Sequence, residues 1–365
     1  MKKALVLLAA MLLAPGALAQ SADWQKTWDQ TLAAAKKEGK VVVAGSPDPV
    51  MRDSIIPAFE KRYSGIKVEF LAGRSSDITQ RVITERGSGI YSVDVYMSGP
   101  DTTYNVLYPQ KLIDPLRPQL ILPEVTDGKK WKSGKLWFMD KEGQYSLRLF
   151  SGVDSWLFIN TDYVKPEEMK SADDLVNPKW KGKITTEDPA RDRGAGGNTS
   201  ALIYAEKGPE YTKKLYVDQA PIVSADRRQM SDWLARGTYP ICLTCRADDV
   251  STLQKEGFKI LEVYDLAGLK SRINASPFLL TLANKAPNPN AARVFVNWMA
   301  SKEGVELYAR GFGSVPLRTD IDESFLDPRS IPKSGVEYFD DSDPQWRSVD
   351  KVPAGEKVRA LIKGQ

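Results

Sequence analysis

Residues 183–200 read KITTEDPARDRGAGGNTS, and an apolar run that begins Ala201-Leu202 follows them. This pattern predicts a short strand, a turn, a glycine loop and the start of a helix. Backbone N–H groups that face out of such a loop, together with the helix dipole, attract anions. Arg193, Gly196 and Asn198 are therefore candidate anion-binding residues. The alternative is an ordinary capped helix beside exposed arginines.

The same order of strand, loop and helix recurs earlier in the chain. Segments at 41–44, 67–72 and 93–97 predict strands, and a polar loop follows each of them. Strands that alternate with helices favour a largely parallel sheet, which binds ligands at the carboxyl ends of its strands. The loops that we expect to share this edge are 45–49, 73–77 and 98–101.

A second α/β series begins near Ser171. It contains predicted strands at 183–186 and 239–243, and Cys245 and Arg246 follow the second of these strands. These two residues are expected at the ligand edge of a second sheet, because they too stand at the carboxyl end of a strand.

The first residues have the form of a secretory leader. Lys2 and Lys3 precede an apolar run at 4–13, and Ala17-Leu18-Ala19 supplies an A-x-A cleavage site. The apolar run is too short to span a bilayer. We therefore expect a signal peptide at 1–19 and a mature protein in the periplasm.

The composition excludes several kinds of site. The chain of 365 residues has no histidine, so neither a Ser-His-Asp triad nor a zinc site with imidazole ligands can form. Its 51 basic and 47 acidic residues are mixed along the chain, which does not favour nucleic acid as a partner. We expect no cofactor and no enzymatic activity. The alternative is an exported enzyme that uses aspartates near a cleft as acid and base.

Cys242 and Cys245 form one Cys-x-x-Cys segment. Export into an oxidising compartment favours a disulfide between them. Two free thiols, or direct contact with a thiophilic metal, are the alternatives.

Four segments together indicate a family. They are AAAKKEGKVVV at 33–43, DLVNPKWKGKI at 174–184, GAG at 194–196 and SVPLRTD at 314–320. These segments resemble the extracellular solute-binding proteins of ABC importers, in particular the branch often labelled ferric-iron transport. The likeness extends over nearly the whole mature chain in the same order.

The resemblance implies an α/β fold of the type II periplasmic binding class. In this class two lobes, each built on a mixed sheet, are joined by crossing hinge segments, which fall here near 152–160 and 273–280. The implied division gives lobe 1 residues 20–151 plus 277–320, and lobe 2 residues 152–276 plus the C-terminal tail at 321–365. The resemblance also implies a monomer that captures a small solute by lobe closure and delivers it to the membrane permease of an ABC importer.

The ligands of the iron-binding members are missing from this chain. Those members carry two adjacent tyrosines, a histidine and a glutamate, at positions that here hold Ala247, Asp248, Asp48 and Gly99. A ferric ion prefers phenolate and carboxylate oxygens, so the resemblance does not define the cargo. A protein that binds iron or another metal, and a binding protein that serves a sensor kinase, are the alternatives.

We expect the cleft to hold a small anionic or zwitterionic solute. Arginine forks grip the paired oxygens of carboxylate, phosphonate or phosphate groups, although each arginine could instead form a surface ion pair. Trp156, beside a crossing segment, is expected to form an aromatic wall of the cleft. The candidate ligand-binding residues are Ser46, Asp48, Arg74, Ser75, Ser98, Trp156, Arg193, Gly196, Asn198, Cys245 and Arg246.

Overall fold

The computed structural model describes residues 15–192, 194–275 and 277–364, with side chains from residue 23 onward. Most of the predicted signal peptide and the candidate Arg193 lie outside the described residues. The helices are α1 (Pro15–Glu38), α2 (Ile56–Arg62), α3 (Ser75–Gly87), α4 (Pro100–Thr102), α5 (Pro123–Thr126), α6 (Ala172–Leu175), α7 (Ala195–Lys213), α8 (Arg227–Ala235), α9 (Ala247–Lys255), α10 (Pro289–Met299), α11 (Lys302–Phe312) and α12 (Lys351–Lys363).

The strands are β1 (Lys40–Gly45), β2 (Lys67–Ala72), β3 (Val95–Ser98), β4 (Ile113–Asp114), β5 (Trp137–Phe138), β6 (Ser146–Arg148), β7 (Gly152–Asp154), β8 (Leu157–Asn160), β9 (Ile184–Thr186), β10 (Ile222–Val223), β11 (Ile241–Leu243), β12 (Ile260–Val263), β13 (Arg272–Asn274), β14 (Leu279–Ala283) and β15 (Phe339–Asp340). Single turns of π-helix lie at Met51–Ile55, Thr103–Leu107, Lys214–Asp218 and Trp346–Asp350.

The first lobe is built on a seven-stranded mixed sheet. Its strand order is β2-β1-β3-β14-β6-β5, and β4 pairs with β14. The strands β1, β2 and β3 run parallel, so their carboxyl ends lie at one edge of the sheet. β14 returns antiparallel between β3 and β6, which brings the segment after the second crossing back into the first lobe. The β-branched run Val41-Val42-Val43 suits this central position, where β1 is flanked by β2 and β3.

The second lobe is built on a five-stranded sheet with the order β10-β9-β11-β8-β12. Here β9, β10 and β11 are parallel, whereas β8 is antiparallel to both of its neighbours. The lobe has apolar cores of its own, with Leu157, Ile184 and Leu215 on one side of the sheet and Phe158 and Met230 on the other. The two-lobed α/β architecture expected from the sequence is confirmed.

The hinge is a third, three-stranded sheet with the order β15-β13-β7. β7 and β13 are antiparallel and lie in the two segments expected to cross between the lobes. β15, which comes from the C-terminal tail, adds a third strand parallel to β13. The exact division of the chain at 151/152 and 276/277 stays a prediction, and this sheet membership supports it.

The proline- and aspartate-rich sequence of the C-terminal tail predicts a surface segment that is helical only at 356–363, and the structure differs from this prediction. It contributes β15, a π turn and a helix that begins at Lys351. Trp346 and Ala354 are buried against Ala201 and Leu202 of α7. The tail is therefore packed into the structure, because apolar side chains spaced along a proline- and aspartate-rich segment still find a complementary face.

One buried ion pair fixes the tail strand to the first lobe. The Arg148 side chain on β6 is fully buried, and its Nη1 lies 2.5 Å from Asp340 Oδ2 on β15. The same guanidinium donates to the Phe150 carbonyl at 3.0 Å and to Ser151 Oγ at 2.9 Å. Such a charge is tolerated in the interior only because several acceptors surround it.

Replacing the carboxylate of this pair should destabilise the protein strongly. Asp340→Ala leaves the buried Arg148 guanidinium without a counter-charge, and we expect a loss of about 3 kcal/mol in the free energy of unfolding. Urea unfolding followed by tryptophan fluorescence measures this loss. The control is Asp53→Ala, which breaks an exposed pair with Arg52 and should lower the free energy of unfolding far less. Equal effects of the two substitutions would contradict the assignment.

Candidate ligand-binding cleft

The first-lobe edge brings together the three loops predicted to share it, since β1, β2 and β3 are parallel neighbours. Two of the candidate side chains there are engaged within the protein. Asp48 accepts hydrogen bonds from the Val50 N–H at 2.8 Å and from the Tyr308 hydroxyl. Ser98 is buried, and its Oγ lies 3.1 Å from Thr103 Oγ1. Both residues therefore order the edge from inside the lobe.

The other first-lobe candidates are accessible. Ser46 and Arg74 are exposed, and Ser75 is half-buried. Arg74 precedes α3 in an extended conformation and provides no side-chain cap for that helix. The first turn of α3 therefore keeps hydrogen-bonding groups free toward the edge of the sheet.

At the glycine loop of the second lobe, the protein supplies an anion of its own. Glu187 directly follows β9 and is almost fully buried. One carboxylate oxygen accepts a hydrogen bond from the Gly196 N–H at 3.2 Å, and the other is paired with Arg227. The Gly196 amide at the start of α7 therefore binds a carboxylate of the chain itself, in the position where the helix dipole favours an anion.

Gly196 has a structural reason to be glycine. A Cβ atom at this position would lie 2.5 Å from the Asp188 carbonyl oxygen. Close behind it, two buried polar atoms, Asn198 Oδ1 and Thr199 Oγ1, have no hydrogen-bond partner among the described residues. The start of α7 therefore retains hydrogen-bonding capacity beyond its bond to Glu187.

The structure contains a disulfide between Cys242 and Cys245, whose Cα atoms are 5.8 Å apart. Thr244 between them adopts a left-handed conformation with φ +72°, and its hydroxyl accepts a hydrogen bond from the Glu187 N–H at 3.0 Å. Because Cys245 is buried and bonded to sulfur, it offers no thiolate to a ligand.

Arg246 follows the disulfide at the start of α9. Its side chain is exposed and pairs with Asp248 at 3.1 Å. Arg246, Arg227 and Arg228 share a shallow depression with Asp249 at the carboxyl ends of the second-lobe strands. The disulfide thus lies at the end of β11, and it fixes the backbone directly before Arg246, one of the three clustered arginines.

Trp156 does not form a wall of the cleft, contrary to its sequence-based assignment. Its side chain is buried in the main core of the second lobe with Leu157 and Val164. The reason is its place just before β8, a central strand of the second sheet, where burial of a large aromatic surface stabilises the lobe.

A cavity of about 680 Å³ joins both lobes and the tail. Its polar lining from the first lobe comprises Ser75, Ser76, Thr79, Asp101, Thr102 and Asn105. The lining from the second lobe includes Arg191, Asp192 and Gly197, and that from the tail includes Arg347, Lys351, Gly355 and Arg359. Among the described candidate ligand-binding residues, Ser75 alone lines this cavity; the glycine loop contributes Gly197, the neighbour of the candidates Gly196 and Asn198. Arg246 lies in a separate depression.

Asp101 connects the first lobe to the tail. Its Oδ2 lies 3.0 Å from both Arg347 Nη1 and Lys351 Nζ, and Arg347 also pairs with Asp341 at 2.7 Å. Burial on its own would raise the pKa of Asp101, but attraction to the two cations outweighs burial and lowers it. Burial, and then repulsion from Arg347, lower the pKa of Lys351.

Sequence reasoning missed Glu187, Asp101 and the tail cations. Only Glu187 carried a usable signal, since a carboxylate just after a strand and before a glycine-rich helix start is well placed to cap that helix. The contacts of Asp101 join residues more than two hundred positions apart, and no local pattern reports them.

Removal of the Asp101 charge should loosen the tail locally. In Asp101→Asn, Lys351 loses its carboxylate partner, so we expect amides in 346–352 to exchange with deuterium about tenfold faster. Hydrogen-exchange mass spectrometry measures this rate. Asp77→Asn, which removes an exposed carboxylate from α3, serves as the control and should leave exchange in the tail unchanged. Unchanged exchange in Asp101→Asn would show that the ion pairs do not hold the tail.

The two lobes, the hinge sheet and the shared cavity define a two-lobed ligand-binding protein of the type II periplasmic class. The sequence model for bacterial extracellular solute-binding proteins matches residues 54–330, and the chain belongs to this family. Its members bind a small molecule and deliver it to an ABC permease, and the family and fold are those of non-enzymatic binding proteins. No curated protein matches the sequence.

Several solved structures are similar over most of the chain. A Trichodesmium protein (IdiA, FutA) in complex with iron and citrate ligands is 16% identical, covers 88% of this chain and 99% of its own, and has a TM-score of 0.66. The ferric iron-binding protein A of Mannheimia haemolytica in an open conformation is 16% identical. It covers 88% of this chain and 98% of its own length, and it also has a TM-score of 0.66.

A third similar structure has a different ligand. The periplasmic binding protein AfuA of Actinobacillus pleuropneumoniae, with fructose-6-phosphate bound, is 18% identical, covers 89% of this chain and 97% of its own, and has a TM-score of 0.57. At these identities the three structures establish the fold.

Two further features bear on the site. None of the helices in the described parts of the chain combines the length and apolarity needed to cross a membrane. Within the described residues, no group of three or more His, Cys, Asp or Glu side chains is arranged to hold a metal ion.

The disulfide leads to a direct chemical test. We expect the denatured mature protein to give no reaction with a thiol reagent until reductant is added, and then to give two thiols per chain, because the sequence has only two cysteines. Closing so short a loop contributes about 2 kcal/mol, so reductant should also lower the Tm. Two reactive thiols before reduction would exclude the disulfide.

Proposed function

We propose that this protein is exported by the signal peptide at 1–19 and acts in the periplasm as a monomer. It captures a small anionic or zwitterionic solute of carboxylate, phosphonate or phosphate type between its lobes. The solute bridges groups of both lobes and shifts the population toward the closed form. The closed form is then recognised by the permease of an ABC importer.

The observation that carries this proposal is the cavity shared by the two lobes. Its volume of about 680 Å³ lies within the usual range of sites for small molecules. Hydroxyl groups of Ser75, Ser76 and Thr102 face it from one lobe, and Arg191 faces it from the other. Hydroxyls and guanidinium groups are donors, which suits a ligand rich in oxygen acceptors.

A ferric ion as cargo has less support from the side chains. The similar proteins bound to iron raise this alternative, but the corresponding positions here hold Ala247, Asp248, Asp48 and Gly99. Asp48 is already engaged by Tyr308 and by the Val50 amide. Burial, together with that hydrogen bond, raises the pKa of Tyr308, so its phenol stays protonated at neutral pH.

A thermal-shift screen tests the proposal. The mature protein is heated with inorganic phosphate, methylphosphonate, citrate, succinate or glutamate, and with ferric citrate for comparison. A solute at one hundred times its Kd adds about 2.7 kcal/mol to the stability, so the true class should raise the Tm by several degrees. Mass spectrometry of solutes that co-purify with the protein identifies the natural member of that class.

The outcomes separate the alternatives. A shift with one or more of the oxyanions that is absent with glucose, a neutral sugar included as a control, supports the proposed class. A shift with ferric citrate that citrate does not reproduce, accompanied by a visible tyrosinate-to-iron absorption band, would replace it with a metal cargo. A screen in which no compound changes the Tm would count against solute capture.

A further inference from the structure

The C-terminal helix α12 forms one wall of the cavity between the lobes. Buried Ala354 packs against α7 of the second lobe, and this contact turns Lys351, Gly355 and Arg359 toward the cavity. These residues stand four apart, so they project from one face of the helix. They lie beyond residues 54–330, the part of the chain that the family model matches.

The charges at this wall are not all satisfied within the protein. Arg359 is paired with Asp192, which follows β9 in the loop before α7. Arg191, the neighbour of Asp192, lines the same cavity and has no ion-pair partner among the described residues. Among the described residues, the cavity therefore presents two engaged guanidinium groups, those of Arg347 and Arg359, and one without an ion-pair partner, that of Arg191.

The Arg359–Asp192 pair is easily broken. The side chain of Asp192 is 78% exposed, whereas that of Arg359 is 25% exposed. Exposed ion pairs contribute little to stability, so water or another carboxylate can replace Asp192 with little loss of free energy. Arg359 is fixed by its position on α12, so Asp192 is the member of the pair that a ligand can displace.

Gly355 leaves room beside the guanidinium group. A Cβ atom at this position would lie 3.8 Å from Arg359 Nη1, which is ordinary van der Waals contact, so a larger side chain would enter the cavity without a backbone clash. Glycine in the interior of a helix weakens it relative to alanine. The open space that Gly355 leaves in front of Arg359 offers a reason why this helical position holds glycine.

We propose that the C-terminal helix supplies the main anion-gripping residue of this binding protein. Arg359, assisted by Arg191, binds the carboxylate or phosphate-type group of the solute, and Asp192 is an internal counter-ion that the solute displaces. This inference rests on the proposed function, and it names the tail as the element that selects the solute.

The proposal predicts effects of opposite sign for the two members of one ion pair. Arg359→Gln removes the group that binds the anion and should weaken binding about tenfold or more, as expected for loss of a charge-assisted hydrogen bond. Asp192→Asn removes the competitor and should tighten binding by roughly two- to fivefold. A pair that merely stabilises the fold would leave anion affinity unchanged in both variants.

Isothermal titration calorimetry at low ionic strength, with citrate and inorganic phosphate as probes, measures these affinities. Arg359→Lys keeps the charge without the fork and should lie between wild type and Arg359→Gln. Gly355→Leu should weaken binding because its side chain occupies the space beside the Arg359 guanidinium group while all charges remain. Lys259→Gln and Asp162→Asn break an exposed second-lobe pair away from the cavity and are the matched controls; neither should change affinity. Circular dichroism verifies that each variant is folded.

The outcomes distinguish this inference from the function on which it rests. If wild type binds a probe and Arg359→Gln binds it equally well, solute capture stands and the role of the tail is overturned. The same holds if Asp192→Asn weakens binding in parallel with Arg359→Gln. If wild type binds neither probe and none of the oxyanions of the thermal-shift screen raises its Tm, the anionic solute class is excluded, and this inference is excluded with it.

Discussion

The three segments that pass between the lobes are hydrogen-bonded to one another as a single small sheet, and the rest of the structure depends on this constraint. β7 and β13 pair antiparallel, and β15 of the tail adds to β13. The fully buried Arg148 binds Asp340 on that third strand, so the hinge is anchored in the core of the first lobe. Relative motion of the lobes must bend or twist a hydrogen-bonded ribbon, which favours a small set of discrete arrangements over free rotation.

Charges at the cleft are largely balanced by groups of the chain itself. Glu187 satisfies the start of α7, Asp101 neutralises Arg347 and Lys351, and Asp192 faces Arg359. These three carboxylates differ in burial: Glu187 is almost fully buried, the Asp101 side chain is 49% exposed, and that of Asp192 is 78% exposed. Since the cost of separating an ion pair rises as its partners are removed from water, Glu187 is a permanent part of the fold and Asp192 is the partner most easily exchanged.

Local patterns predicted the regular elements well. The strand expected at 67–72 is β2 with the same bounds. The sequence also predicts helices at 290–301 and 302–311, and these are α10 and α11 within two residues. The parallel edge of the first lobe followed from the same patterns. Trp156 and the tail were misassigned because burial depends on which surfaces meet in three dimensions. Arg359 could not be assigned to the cavity from sequence, since its position depends on the packing of α12 against a helix some 150 residues earlier.

The hinge sheet also imposes an order of assembly. Because the chain is made and emerges from its amino terminus, β6, β7 and β13 become available for folding well before β15. Until the last strand arrives, the guanidinium of Arg148 has carbonyl and hydroxyl acceptors but no counter-charge. The apolar cores of the two lobes can therefore form early, whereas the hinge sheet between them is completed last. A chain that lost its final segment would keep an unneutralised cation inside its first lobe.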